Sequence, residues 1–158
     1  VETLSASLVK FLITVGLQSY MQYQHPEISH ENYPEILPPR IVVIEHSQLQ
    51  LKAQCTIEDC KIMGWYSGFV SNDKTIYLSK NLPFEKIETD AKLQSIIFHE
   101  LIHYIQDEYD HAPKETCKEK YELERVAYTL QARFVQKKDY TFAGIRIPPI
   151  EVICKDSE

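Results

Sequence analysis

Between Lys92 and Gln106 the chain reads Lys-Leu-Gln-Ser-Ile-Ile-Phe-His-Glu-Leu-Ile-His-Tyr-Ile-Gln, a stretch with room for very few folds. Drawn as a helix at about 100° per residue, it carries Leu93, Ile96, Ile97, Phe98, Leu101, Ile102, Tyr104 and Ile105 in nearly every direction. A helix that is apolar on most sides must be buried, so the other elements have to wrap around it. One narrow stripe escapes this: Lys92, Ser95, His99, His103 and Gln106 share a face. Two histidines in the only polar stripe of a buried helix face a cleft.

The surrounding elements follow from spacing and punctuation. Thr89 or Asp90 offers an N-cap for this helix, which runs to about Asp107. From Thr3 to about Gln22 the apolar positions Leu4, Leu8, Phe11, Leu12 and Val15 recur at helical intervals, giving an amphipathic helix with one core face. His25 to Arg40 holds Pro26, Pro34, Pro38 and Pro39 and reads as an extended surface loop. Ile41 to Ile44 is a compact β-branched run, read as a buried strand. Ser47 to Cys60 leaves a short helix or a turn open. Ile62 to Val70 and Thr75 to Ser79 flank a turn at Ser71 to Lys74 and read as a β-hairpin, with Gly64 and Gly68 marking a bulge or an edge. A second long helix begins between Lys114 and Lys118 and continues to about Lys138, with Leu123, Val126, Ala127, Leu130 and Phe134 on its core face. The tail from Tyr140, with Ile145, Arg146 and Pro148-Pro149, reads as extended. One domain of α+β class is expected for 158 residues.

Composition narrows the function classes. A net charge of -6 with no basic run longer than Lys137-Lys138 argues against a nucleic-acid surface, because phosphate binding needs clustered positive charge. No run of about 18 apolar residues exists, so no membrane span is expected. A monomer is expected. Cys55, Cys60, Cys117 and Cys154 are even in number, which leaves two disulfides and buried free thiols both open. The absence of an initiator methionine at Val1 adds weight to an exported location, periplasmic or secreted, over a cytoplasmic one.

His99 and His103 stand four residues apart, so one rigid element can give a metal two imidazoles. Glu100 lies about 100° around the helix from His99, outside that ligand set but within reach of a water held there, so it is read as a general base. A third ligand is needed. The longer pattern with Gly and His following at three-residue intervals is excluded, since Gln106 and Tyr109 occupy those positions. His111 sits in an Ala-Pro loop with no reason to turn back. Glu124 is better placed, on the border of the second helix's apolar face, with Ala127 one turn on allowing the two helices to approach. Glu122 and Glu119 project about 160° and 140° away from it.

His99-Glu100-Leu101-Ile102-His103, then twenty residues, then Glu124-Arg125-Val126-Ala127, resembles the paired motifs of the gluzincin class of zinc metallopeptidases, in single-domain, minigluzincin-like form. The resemblance implies a zincin-like core: a small twisted mixed sheet, with an edge hairpin, packed on an active-site helix, and a second helix carrying the glutamate ligand. It implies one Zn²⁺ held by His99, His103 and Glu124, hydrolysis of a peptide or protein substrate with Glu100 as base, and an edge strand at Gly64, Trp65, Tyr66 and Ser67 that aligns the substrate. Where some members carry Asp four residues after the ligand glutamate, this chain has Tyr128. Tyr128, Tyr121 and His111 are the candidates for stabilising a transition-state oxyanion. Two rival readings remain: a latent zinc-binding protein whose own loop (His25 to Arg40) or tail fills the cleft, and a partner-binding domain with no metal.

Overall fold

A computed structural model describes residues 4–55, 61–139, 144 and 147–154. The apolar helix lies at its centre as α3 (Ala91–Glu108), opened by Asp90, whose carboxylate accepts the backbone N–H groups of Lys92 and Leu93. Ile97, Phe98, Leu101, Ile102 and Ile105 are fully buried. Three layers cover them. On one side lies α1 (Ala6–Gln24), capped by Ser5 and presenting Leu8, Leu12, Ile13, Gly16, Tyr20 and Met21. On another lies α4 (Cys117–Lys138), whose Phe134 stacks on Phe98 at 4.7 Å between ring centroids. Thr116 and Glu119 form a reciprocal capping box at its start. The third layer is a mixed sheet.

That sheet has the order β1 (Arg40–Ile44), β3 (Thr75–Ser79), β2 (Gly64–Tyr66), with β1 parallel and β2 antiparallel to β3. Central β3 buries Ile76 and Leu78 completely. The run Ile41 to Ile44, expected to be a buried strand, is instead a half-exposed edge, because nothing pairs with its outer side among the described residues. The short helix left open after Ser47 is α2 (His46–Lys52).

The first hairpin arm is shorter than its sequence suggests. After Tyr66 the chain turns into a 3-10 helix, Ser67–Phe69. Ser67 Oγ accepts the Thr75 amide at 2.9 Å, so a side chain replaces the next ladder bond and pairing stops there. Gly68 is required by the fold at this turn, since a Cβ there would lie 2.1 Å from the Tyr66 hydroxyl. Tyr66 in turn donates to Asp107 Oδ2 at 2.7 Å, fastening β2 to α3.

The tail departs from the extended reading: α5 (Ile150–Ile153) is a single helical turn after Pro149, closed by the Cys154 amide on the Ile150 carbonyl at 2.8 Å. Ile145 and Arg146 lie outside the described residues. Cys117 and Cys154 form a disulfide across 37 residues, and Cys55 is also disulfide-bonded; the state of Cys60 lies outside the described residues. Closing a loop of that length stabilises a fold by about 4 kcal/mol in the chain-entropy model. Cys154→Ser is therefore expected to lower unfolding stability by about 2–4 kcal/mol, read as a shifted denaturant midpoint. An unchanged midpoint would show that the tail contributes nothing to the fold.

Candidate metal centre

His99 and His103 project from the middle of α3 toward the end of the sheet that carries β2 and are nearly inaccessible, at 6% and 3% exposure. Their Nε2 atoms lie 3.1 Å apart. Glu124, two turns into α4, brings Oε1 to 3.0 Å from His99 Nε2 and 3.2 Å from His103 Nε2. Glu124 keeps 49% of its side-chain surface open, so the group is buried beneath α3 and β2 and accessible past Glu124. Glu124 thus turns inward beside Ala127, as its place on the border of the apolar face predicts, whereas Glu122 points away and pairs with Arg125.

Glu100 occupies the adjacent direction. Its carboxylate lies under β2, where Gly64 leaves room for it: a Cβ there would stand 3.2 Å from Glu100 Cγ and 3.3 Å from Leu78 Cδ2. The Tyr66 backbone N–H donates to it. His99, Glu100 and His103 form a buried group whose ligand atoms all lie within 4.8 Å of one another, an arrangement that could hold a metal ion.

The electrostatics divide the two carboxylates. Burial raises the Glu100 carboxyl above the usual carboxylate range, against the opposing pull of the two histidines. Glu124 shifts the other way: burial would raise it, but the neighbouring imidazoles outweigh that and hold it well below its ordinary value. For His103, burial opposes charge, yet the Glu124 carboxylate and its hydrogen bond prevail and push the imidazole up to about 9.

The cleft over these groups holds about 290 Å³ and is lined by Ile62, Met63, Gly64, Trp65, Tyr66, Phe69, Val70, Ile96, Tyr128 and Gln131 besides Lys61 and the ionisable groups of the site. Phe69 packs edge-on against His103 at 5.3 Å. Tyr128, one turn beyond Glu124, lies 4.4 Å from the His99 ring, and burial together with the Glu124 and Glu100 carboxylates pushes its phenol up to about 12, so it stays a hydroxyl donor. Side-chain directions on β2 alternate: Tyr66 turns to α3, whereas Trp65 stacks on Tyr77 on the outer face of the sheet.

Three expected participants are placed elsewhere. Ser67 belongs to the 3-10 turn and does not line the cleft. His111 is an exposed residue in left-handed conformation just past the end of α3, with its amide on the Asp107 carbonyl. Tyr121 donates to the Pro148 carbonyl. No residue of the His25 to Arg40 loop, and none of the described tail, lines the cleft. One contributor is not announced by the sequence motifs: Gln131 on α4, whose Oε1 is 2.9 Å from His99 Nδ1. The signal was its spacing, two helical turns beyond Glu124 on the same face.

A larger groove, about 850 Å³, runs along β1, and its ionisable residues Glu45 and Lys80 pair with each other at 3.2 Å. Among the described residues no helix is long and apolar enough to cross a membrane. Comparison with family models, curated proteins and solved structures finds no match.

Proposed function

We propose that this chain is a zinc-dependent peptidase of gluzincin type, with the ion held by His99, His103 and Glu124 and with Glu100 as general base. The observation that carries the reading is the triangle of Nε2, Nε2 and Oε1 with sides of 3.0, 3.1 and 3.2 Å. Two ligands at about 2.0–2.1 Å from zinc and at the tetrahedral angle stand about 3.3 Å apart, so the donor set fits a tetrahedral ion with its fourth position open. Held this closely, the three atoms are bridged by a proton in the metal-free chain and would be bridged by the ion in its place.

When bound, zinc would polarise the scissile carbonyl and acidify a water beside it. Glu100, its carboxyl raised by burial, is suited to take a proton from the attacking water and pass it to the leaving amine nitrogen. Tyr128 can donate its hydroxyl to the developing oxyanion. β2 is an edge strand, and Ser79 N–H bonds the Met63 carbonyl at 2.9 Å, so the alternate residues Gly64 and Tyr66 direct their backbone groups away from β3. The Tyr66 N–H serves Glu100, which leaves Gly64 to meet an extended peptide. The His25 to Arg40 loop and the described tail lie clear of the cleft lining, as turnover requires.

The decisive experiment is zinc analysis of purified protein, followed by hydrolysis of an unfolded protein substrate before and after chelation. One ion per chain is expected, with activity lost on chelation and restored by zinc. Absence of stoichiometric zinc, or hydrolysis indifferent to chelation, would overturn the proposal.

A pH dependence follows from His103. With Glu124 pushing its imidazole up to about 9, the metal-free site is expected to hold a proton at neutral pH that an incoming ion must displace. Apparent zinc affinity should therefore climb about tenfold per pH unit from pH 7 toward 9 and then flatten. Chelator-buffered titrations read this directly; a flat profile would mean that no proton is displaced.

A further inference from the structure

Both imidazoles meet Glu124 and each other through Nε2, so an ion can enter only if Nε2 carries the lone pair and Nδ1 the hydrogen. A neutral imidazole can place its hydrogen on either nitrogen, and something must choose. His103 Nδ1 lies 2.8 Å from Gln106 Oε1, and His99 Nδ1 lies 2.9 Å from Gln131 Oε1. A terminal amide offers an acceptor at one atom and donors at the other, so which atom faces the histidine depends on what holds the far end.

At the far end of each lies a backbone carbonyl, which only accepts. The Gln106 amide nitrogen is 3.1 Å from the Leu123 carbonyl, so its NH₂ must point there and its oxygen must face His103. The Gln131 amide nitrogen is 3.1 Å from Ser95 Oγ. Ser95 donates its single hydroxyl hydrogen to the Lys92 carbonyl at 2.6 Å, so Oγ can only accept from Gln131, whose oxygen then faces His99. Polarity passes along each relay in one direction. Gln106, Ser95 and Gln131 are all buried, so water does not compete for these bonds.

We propose that Gln106, anchored on the Leu123 carbonyl, and Gln131, anchored through Ser95 on the Lys92 carbonyl, are positioning residues that lock both histidines with hydrogen on Nδ1 and thereby set the metal affinity of the site. The inference rests on the metal-site reading above. It also gives α4 a larger share in the site than one ligand: Glu124, its neighbour Leu123 and Gln131 each act on the α3 histidines. Neutral amides orient the imidazoles without adding charge, so Glu124 supplies the only formal charge in the proposed ligand set.

The test has two readouts. Zinc affinity, measured by chelator competition, is expected to fall about 10- to 100-fold in Gln131→Leu and in Gln106→Leu. Gln131→Glu, which keeps an acceptor facing Nδ1–H, should recover most of the loss. Independently of any metal, nitrogen-15 spectra of the His99 ring in metal-free protein should show a protonated Nδ1 and a bare Nε2, with the two tautomers mixing in Gln131→Leu. Thermal melts of each variant establish that it is folded. Affinity within twofold of wild type in both leucine variants would overturn the proposal, as would a Gln131→Glu protein that binds as weakly as Gln131→Leu, or a wild-type His99 carrying its hydrogen on Nε2. If the wild type itself binds no zinc, the metal reading falls by that result alone, and the ring spectrum still decides whether the glutamines fix the tautomer.

Discussion

Glu100→Gln is expected to lower the turnover number for peptide hydrolysis by about 10²- to 10⁴-fold, the range associated with loss of a positioned general base, while leaving zinc content and KM nearly unchanged. Glutamine has the shape of glutamate and fits beneath Gly64. Its oxygen can still accept the Tyr66 N–H, so β2 should stay seated. It cannot take a proton from water.

The same substitution should not reduce stability. Burial raises the Glu100 carboxyl in the folded chain above its value in the unfolded one. A group shifted in that direction weighs against folding once pH rises through the interval and the charged form must be buried. Removing the charge relieves that penalty at neutral pH, so the metal-free variant should melt at or above the wild-type temperature. Kinetics and melting on one preparation test both statements. Undiminished hydrolysis would dismiss Glu100 as base, and a large fall in melting temperature would mean that the carboxylate is a structural support.

The parts of this fold legible in sequence are those set by local periodicity. An N-cap at Thr89 or Asp90, the histidine stripe of α3, the core face of α4 and the inward turn of Glu124 each follow from 3.6-residue spacing plus a cap or a small neighbour. What was not legible depends on partners distant in the chain. Ile41 to Ile44 has the same sequence whether its strand is central or at an edge, and only the order β1-β3-β2 decides. The direction of Trp65 depends on the phase of the β2 pleat, which is set by Gly64 resting on Glu100. Ser67 reads as strand in the sequence because nothing local announces that its hydroxyl will take the Thr75 amide. Gln131 is silent in the sequence because a neutral amide is not a ligand type; its role lies in its contact with the far nitrogen of the His99 ring, which only the packing of α4 on α3 creates.

Zinc should stabilise this protein strongly. Nε2 of His99, Nε2 of His103 and Oε1 of Glu124 are brought together by two helices whose packing also forms the core, so the donor triangle exists only in the folded chain. A ligand that binds the native state alone adds about 4.1 kcal/mol at a free concentration one thousand times its Kd. For a chain in this size range, where 1 kcal/mol moves the melting temperature by about 2–4 °C, that corresponds to a rise of about 8–16 °C. Because the Glu124 carboxylate favours the protonated form of His103, the gain at a fixed zinc concentration should shrink as pH falls below 7. His99→Ala and Glu124→Ala each remove one corner of the triangle and should lose most of the gain. Glu122→Ala, one position from Leu123 but facing Arg125, should keep it. Calorimetric melts of metal-free and zinc-loaded protein decide the matter. Equal melting temperatures in the wild type would show that the converging donors hold a proton and nothing else. A gain that survives Glu124→Ala would instead shift the third ligand to Glu100, which shares the buried cluster with both histidines.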